Sequence, residues 1–348
     1  MSAVLSSSIH EASPSSVETA RLRAEILDLS RQNRLGALTP WCSDRLDWAI
    51  GVGHFRSTDE LEKISARIVA DLADYRTQAG IDTVVLGMSG GVDSALTAAL
   101  FKRAGWRVIG VTLPIHQDPV ETERGIEAIR ALRLDAHAHV DLSGAYDTLL
   151  GQLGDAALSS AADASKPVKI RRGNVRARVR MITLYNLAAA EGGLVASTDN
   201  LSELAAGFWT LHGDVGDLSP IQSLTKSWEV PAIAQIVGVP DATVRATPTD
   251  GLGIDAGDEA QLGCSYLEWD LIVLAMAKEA RAGDTIETLA VRLGVDAATR
   301  PKFEAVYRRM GNSWFKRRNP LNLAHPFSDR FGAVDGIDRA LFVPPVFG

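Results

Sequence analysis

The sequence predicts an α/β fold: a doubly wound parallel sheet flanked by helices, with a helical extension at its N-terminus. Three observations predict it. A short run with adjacent β-branched residues, Thr83-Val84-Val85-Leu86, passes through a glycine-rich turn into the good helix formers Ala95 to Leu100. Three more short apolar runs, at 107–114, 136–140 and 194–197, follow it, separated by segments of helical period. Strands that alternate with helices in this way favour parallel pairing with helices on both faces. The chain of 348 residues, 46% hydrophobic, has ample material for such a core.

The turn after the first strand, Gly87-Met88-Ser89-Gly90-Gly91-Val92-Asp93-Ser94, has the chemistry of a phosphate site. Gly87, Gly90 and Gly91 lack Cβ atoms, so the backbone can bend sharply and bring its N–H groups to an anion. The helix that starts near Asp93 aims its free N–H groups and positive dipole end at the same place, and Ser89 and Ser94 add hydroxyl donors. A Walker loop needs G-x-x-x-x-G-K-S/T, and no lysine stands here. A lysine-free loop suits chemistry at the α-phosphate, where pyrophosphate leaves. The competing reading is a tight glycine turn with Asp93 and Ser94 merely capping a helix.

Composition narrows the classes. A net charge of −7 gives no bulk attraction to nucleic acid, so any anionic ligand must meet local basic patches. Two cysteines, Cys42 and Cys264, stand far apart and outside any C-x-x-C pattern, which argues for core thiols in a reducing compartment. Ser8, His10 and Glu11 occupy the place of a signal peptide's apolar block, and nowhere do 18 apolar residues run together. The expectation is a cytoplasmic protein with no membrane partner.

Residues 1–60 read as an extension, disordered at first and then helical, and residues 61–348 as the main domain. Ser15-Ser16-Val17-Glu18 has capping-box spacing, and Leu22, Ile26 and Leu29 continue it as a helix. The segment 39–58, with Trp41, Trp48 and Phe55, shows no clear period and suggests no chemical role. A helix from Thr58 ends at Gly80, before the first strand. Asp118-Pro119 opens another helix after the second strand. His116 and Gln117 just before it read equally as nucleotide contacts or as a solvated loop.

Residues 152–165 read as a mobile surface connection. Lys166 to Arg180 then carries seven cations and no acid, which favours a polyanionic ligand over a merely solvated face. Within it Asn174 is expected to cap a helix whose Val175, Val179, Ile182 and Leu187 face inward. The fourth strand leads into Thr198-Asp199-Asn200-Leu201-Ser202-Glu203, and strand carboxyl ends in such sheets border one ligand crevice. Thr225-Lys226 is expected to open a further helix.

Several motifs together, Gly87 to Ser94, Arg176 to Met181, Ser197 to Leu204, Gly207 to Thr210, Lys226, Pro248 to Leu252 and Asp258 to Gly263, resemble the synthetase domain of NAD synthetases, within the ATP-pyrophosphatase superfamily. The resemblance spans roughly residues 62–322 and implies an adenine nucleotide alpha hydrolase-like fold. It implies ATP-dependent amidation of deamido-NAD by free ammonia through an acyl-adenylate, with AMP and pyrophosphate released. By motif position, Asp93 and Glu203 would hold magnesium. Gly87, Met88, Ser89, Gly90, Gly91, Val92, Asp93 and Ser94 would hold the phosphates, and Thr198, Lys226 and Thr249 would contact ATP, with Asp93, Glu203 and Lys226 as the catalytic set. Arg178, Asp217 and Lys316 would contact the dinucleotide, and the resemblance further implies a homodimer.

Three departures all fall on the substrate side. Leu211 stands where the family usually has a lysine, the Gly213–Pro220 loop is one residue short, and Phe315 replaces a common histidine. The alternatives are an amidating ligase for another carboxylate such as nicotinate mononucleotide, a tRNA-modifying adenylating enzyme resting on the basic clusters, and a catalytically dead relative.

Overall fold

A computed structural model describes residues 16–30, 36–155, 166–249 and 257–318. Two helices come first, α1 (Ser16–Leu29) and α2 (Pro40–Gly51), then a long α3 (Thr58–Ala79). Ser15, and with it the expected capping box, lies outside the described residues. The segment read as aperiodic turns out helical: Thr39 caps α2, Pro40 fills its first turn, and Trp41, Cys42, Leu46, Ala49 and Ile50 are buried at helical spacing. Small and polar neighbours between the aromatics hide that stripe in the sequence.

The central unit follows: β1 (Thr83–Gly87), α4 (Val92–Arg103), β2 (Arg107–Thr112), α5 (Pro119–Ala131), β3 (Ala136–His139), α6 (Ser143–Asp155), α7 (Lys166–Ala190) and β4 (Leu194–Val195). The strands form one parallel sheet in the order β3-β2-β1-β4. Because successive side chains of a strand point to opposite faces, β1 serves two cores. Val84 and Leu86 pack with α4 in the larger core, whereas Val85 meets Met181, Leu184 and Ala188 of α7 in the smaller one. Asp118 caps α5 by accepting from Val120 N at 2.9 Å, as its sequence implied.

Helix α7 corrects two expectations. It starts at Lys166, not Asn174, and Ile182 is 69% exposed. Its fully buried residues are Val168, Gly173, Ala177, Met181, Leu184 and Ala188, while Val175, Val179 and Leu187 pack half-buried against the smaller core as expected. Small residues win there because the helix lies close to the sheet and to the loop behind it. A Cβ on Gly213 would stand 3.0 Å from that of Ala177.

The chain then adds α8 (Leu201–Ala206), α9 (Glu229–Ile236), α10 (Asp241–Val244), α11 (Asp258–Leu262), α12 (Tyr266–Glu279), α13 (Ile286–Arg292) and α14 (Arg300–Asn312), with a short 3-10 turn at Trp314–Arg318. The helix expected from Thr225 begins at Glu229, leaving Lys226 in the turn before it. Helices α1 and α2 join the larger core, where α2 packs on α12. Both cysteines are buried, and burial raises the Cys42 thiol to about 11, as suits inert core thiols. Among the described residues no helix is long and apolar enough to cross a membrane.

Candidate active site

The carboxyl ends of β1, β2 and β4 open onto one cavity of about 450 Å³. The glycine loop forms its floor. Gly90 takes φ +85°, and a Cβ there would collide with the Glu121 carbonyl oxygen, so the loop tolerates only glycine at that point. Helix α5 closes on the loop through its own Gly125, where a Cβ would come 2.6 Å from the Met88 carbonyl oxygen. Arg124 on the same helix donates from Nε to Gly90 O at 3.0 Å. Ser89 Oγ and Ser94 Oγ lie 3.2 Å apart, and Gly91 N donates to Ser89 Oγ at 3.3 Å.

Beside this floor stands a buried charge cluster. Asp93, in the first turn of α4, accepts from Asn200 Nδ2 at 3.0 Å through Oδ1 and pairs with Lys226 Nζ through Oδ2. Asn200 also caps α8, its Oδ1 accepting from Glu203 N at 3.0 Å. One amide therefore sets the position of Asp93 relative to Glu203. Lys226 is 4% exposed, and Asp270 of α12 holds its turn from behind. Asp270 Oδ1 accepts from Ser202 Oγ at 2.5 Å, Ser202 Oγ accepts from Lys226 N at 2.9 Å, and Asp270 Oδ2 accepts from Ser227 N at 3.2 Å.

The cluster carries more acid than base. Burial and then the Asp93 charge push the Glu203 carboxyl well above the usual carboxylate range, with Lys226 pulling the other way. Burial, with Asp214 and Asp93 nearby, raises Asp199 to about 7, and its Oδ2 is buried with no hydrogen-bond partner. Burial works against the Lys226 charge, yet Asp93 and Glu203 hold its pKa above the usual lysine value.

The raised Asp199 has a consequence for stability. A carboxyl whose folded pKa exceeds its unfolded value favours folding below the unfolded pKa and loses that contribution as pH rises towards about 7. Asp199→Asn, which mimics the neutral acid, is therefore expected to gain in Tm over the parent chain as pH rises from 5 to 8 without metal or nucleotide. A Tm difference that does not change with pH defeats this assignment.

The cavity gathers most of the residues singled out from the sequence. Gly87, Met88, Ser89, Gly91, Val92, Asp93, Thr198, Glu203, Lys226, Thr249 and Lys316 all line it. Ser94 is buried behind the loop, its Oγ within 3.1 Å of Gly91 O. Of the pair before α5, Gln117 lines the cavity, while His116 bonds to Asp147 at 2.9 Å instead. Lys316 Nζ donates to Gly207 O at 2.7 Å and Trp209 O at 2.5 Å.

Arg178 and Asp217 are not among the cavity's residues. Arg178 is exposed and donates to Leu211 O at 3.2 Å, and Asp217 holds the start of the last strand by accepting from Val195 N at 2.8 Å and from Tyr185 Oη at 2.8 Å. Sequence reasoning missed Arg124, for which no local signal exists, and assigned no role to Asp199, Asn200 or Asp270. Arg180 stood in the basic run and in the Arg176–Met181 motif, but was given no role of its own. It lines the cavity, donating to Leu113 O at 3.0 Å and Gln117 Oε1 at 2.8 Å, and burial beside Arg176 lowers its pKa.

A parallel sheet whose carboxyl edge carries a lysine-free glycine loop, with an acid on the following helix, defines a nucleotide-binding enzyme of the ATP-pyrophosphatase class. The model of the NAD synthase family matches residues 64–320, and the chain belongs to that family of ligases, which form carbon–nitrogen bonds and use ATP as a substrate. The NH(3)-dependent NAD(+) synthetase of Methanosarcina mazei is 32% identical over 267 residues, 75% of this chain and 97% of the relative. Among solved structures, the NMN synthetase of Francisella tularensis superposes with a TM-score of 0.63 at 25% identity, over 76% of this chain and 99% of that one. The NH3-dependent NAD synthetase of Campylobacter jejuni gives 0.58 at 25% identity over the same shares.

Proposed function

We propose that this chain amidates the nicotinate carboxylate of deamido-NAD with ammonia and ATP, releasing AMP and pyrophosphate. The observation that carries this reading is the single cavity in which the lysine-free loop meets Asp93, Glu203 and Lys226. A carboxylate resists amination until one oxygen becomes a good leaving group, and adenylation provides that. The loop amides, Ser89 and Arg124 hold the β and γ phosphates as a unit that departs, with Ser94 bracing the loop from behind, while Thr198 and Thr249 contact the nucleotide. Lys226 places a fixed positive charge where negative charge grows as the bond to pyrophosphate lengthens. Phe208 and Trp209 beside Lys316 offer an apolar wall for the pyridine ring at the cavity's far side.

The donor set fits magnesium. A Glu203 carboxyl raised by burial and the Asp93 charge is a site short of positive charge, and both groups present oxygen to a hard cation. Among the described residues no three acids, histidines or cysteines form a ready-made metal cage, so the ion would be shared between Asp93, Glu203 and phosphate oxygens. Bound there, it would offset phosphate charge as the adenylate forms.

The exposed face of α7 supports a homodimer. Arg178, Ile182 and Tyr185 lie at helical spacing on that face, Ile182 69% and Tyr185 41% exposed, and Val215 on the loop after α8 is 38% exposed. A second copy docked there would bring Arg178 and Asp217 to a dinucleotide that extends out of the cavity. The partners proposed are thus ATP, deamido-NAD, ammonia and a second copy, with no nucleic acid or membrane, in the cytoplasm.

Side-by-side turnover of deamido-NAD and nicotinate mononucleotide, with products identified by mass spectrometry, tests the reading. A strong preference for the mononucleotide overturns it, and so does accumulation of ADP in place of AMP. Leu211→Lys restores the family's usual residue. It is expected to lower KM for deamido-NAD roughly ten-fold, about the worth of one charge-assisted hydrogen bond, and to leave KM for ATP unchanged. Equal effects on both substrates would place position 211 away from the dinucleotide.

A further inference from the structure

We infer that Arg56, which lies ahead of the family match, is a positioning residue for Lys226 that acts through Glu229; the inference rests on the function proposed above. The segment holding Arg56 joins α2 to α3. Ser57 caps α3 with a reciprocal bond to Glu60, which sets where the helix begins and so fixes the backbone at Arg56. The Arg56 carbonyl accepts from Trp228 Nε1 at 2.8 Å, and its Nη1 donates to Glu229 Oε1 at 2.6 Å.

The Glu229 side chain is only 4% exposed, so its charge depends on partners inside the protein. Its other oxygen, Oε2, accepts from Thr225 N at 2.8 Å and from Thr225 Oγ1 at 3.2 Å. Thr225 is bonded directly to Lys226, whose ammonium pairs with Asp93 and lies 5.9 Å from the Tyr266 ring centroid. A continuous set of contacts thus runs from Arg56 through Glu229 and the Thr225 backbone to the lysine at the cavity floor. Without the guanidinium, Oε1 of the buried Glu229 carboxylate loses its ion-pair partner, and the side chain either stays unpaired or turns outward to water. Either change weakens its hold on Thr225 and lets the Lys226 turn drift, and small displacements of a charged positioning group are costly to transfer chemistry.

The test compares the full chain with Arg56→Met and Arg56→Lys, below the onset of thermal unfolding, by steady-state kinetics and by titration calorimetry of ATP with magnesium. Arg56→Met is expected to raise KM and Kd for ATP roughly ten-fold and to lower kcat by a similar factor, as removal of outer-shell support commonly does. KM for deamido-NAD should stay unchanged, and Arg56→Lys should recover most of the loss. An unaltered Kd for ATP in Arg56→Met overturns the inference. So does a fall in kcat with every KM unchanged that lysine fails to rescue, since that reports lost folded protein. Should Arg56→Met not fold, Glu229→Gln, which keeps one acceptor for Thr225, must show the same split between the two substrates. If the parent chain fails to amidate deamido-NAD, the proposed function falls, while the calorimetric comparison still decides the role of Arg56.

Discussion

Asp93→Asn is expected to leave the chain folded and to cut pyrophosphate release from ATP by on the order of a thousand-fold or more, the scale of removing a charged group from a transition-state site. The Asp93 side chain accepts two bonds, from Asn200 Nδ2 and from Lys226 Nζ. An asparagine keeps one acceptor and turns an NH2 group towards the other donor. The expected stability cost is about 1–3 kcal/mol, because the charge of Glu203 also acts on Lys226 and supports its ammonium once Asp93 is gone. Thermal denaturation and a pyrophosphate-release assay with ATP, magnesium, ammonia and deamido-NAD measure the two effects separately. Near-normal release would mean that Asp93 neither holds the metal nor orders the lysine for adenylation.

Glu203→Gln should separate stability from activity even more sharply. Burial and the charge of Asp93 push the Glu203 carboxyl well above its usual range, which favours its neutral form, so the isosteric glutamine is expected to cost the metal-free chain little stability. Adenylation should nevertheless fall on the order of a thousand-fold, because the second proposed oxygen ligand is gone. A magnesium ion held by Glu203 together with nucleotide would favour the ionised form of a carboxyl whose pKa burial and Asp93 raise, and metal binding to a protonated ligand is visible as proton release. Calorimetry in buffers of different ionisation enthalpy should detect that proton for the parent and not for Glu203→Gln. An equal proton count in both would remove Glu203 from the metal site.

The glycine-loop side of the cavity was legible because its signals are local. Strand, glycine loop and helix tip occupy a dozen consecutive residues, and glycine at a positive φ, a lysine-free loop and an acid in the first helical turn each carry their own chemistry. The capped start of α5 was equally readable, since Asp118 and Pro119 act on backbone groups within one turn. Lys226 was legible only as part of the family resemblance. Alone it is one lysine before a helix, and its burial against Asp93 follows from α8 and α12 closing around its turn.

Helix α7 shows the opposite limit. Of the four aliphatics expected to face inward, Val175, Val179 and Leu187 do pack half-buried against the smaller core, but Ile182 is exposed, and the fully buried positions are Val168, Gly173, Ala177, Met181, Leu184 and Ala188. A hydrophobic pattern counts bulk, whereas the distance between helix and sheet decides which bulk fits. The stretch containing α2 failed for a related reason, because its stripe mixes Trp41 and Leu46 with Cys42 and Ala49 and acquires meaning only against α12.

By itself the sequence determined the parallel α/β architecture, the glycine turn between β1 and α4 and the family, because periodicity, turn chemistry and motif spacing are properties of neighbouring residues. Tertiary structure alone decided that Asp93, Asn200, Glu203 and Lys226 converge, that Arg124 and Arg180 reach the same cavity, and that Arg178 and Asp217 stay outside it. These groups come from separate helices and turns, and only the packing of those elements sets the few ångströms and the low local polarity on which their charges depend.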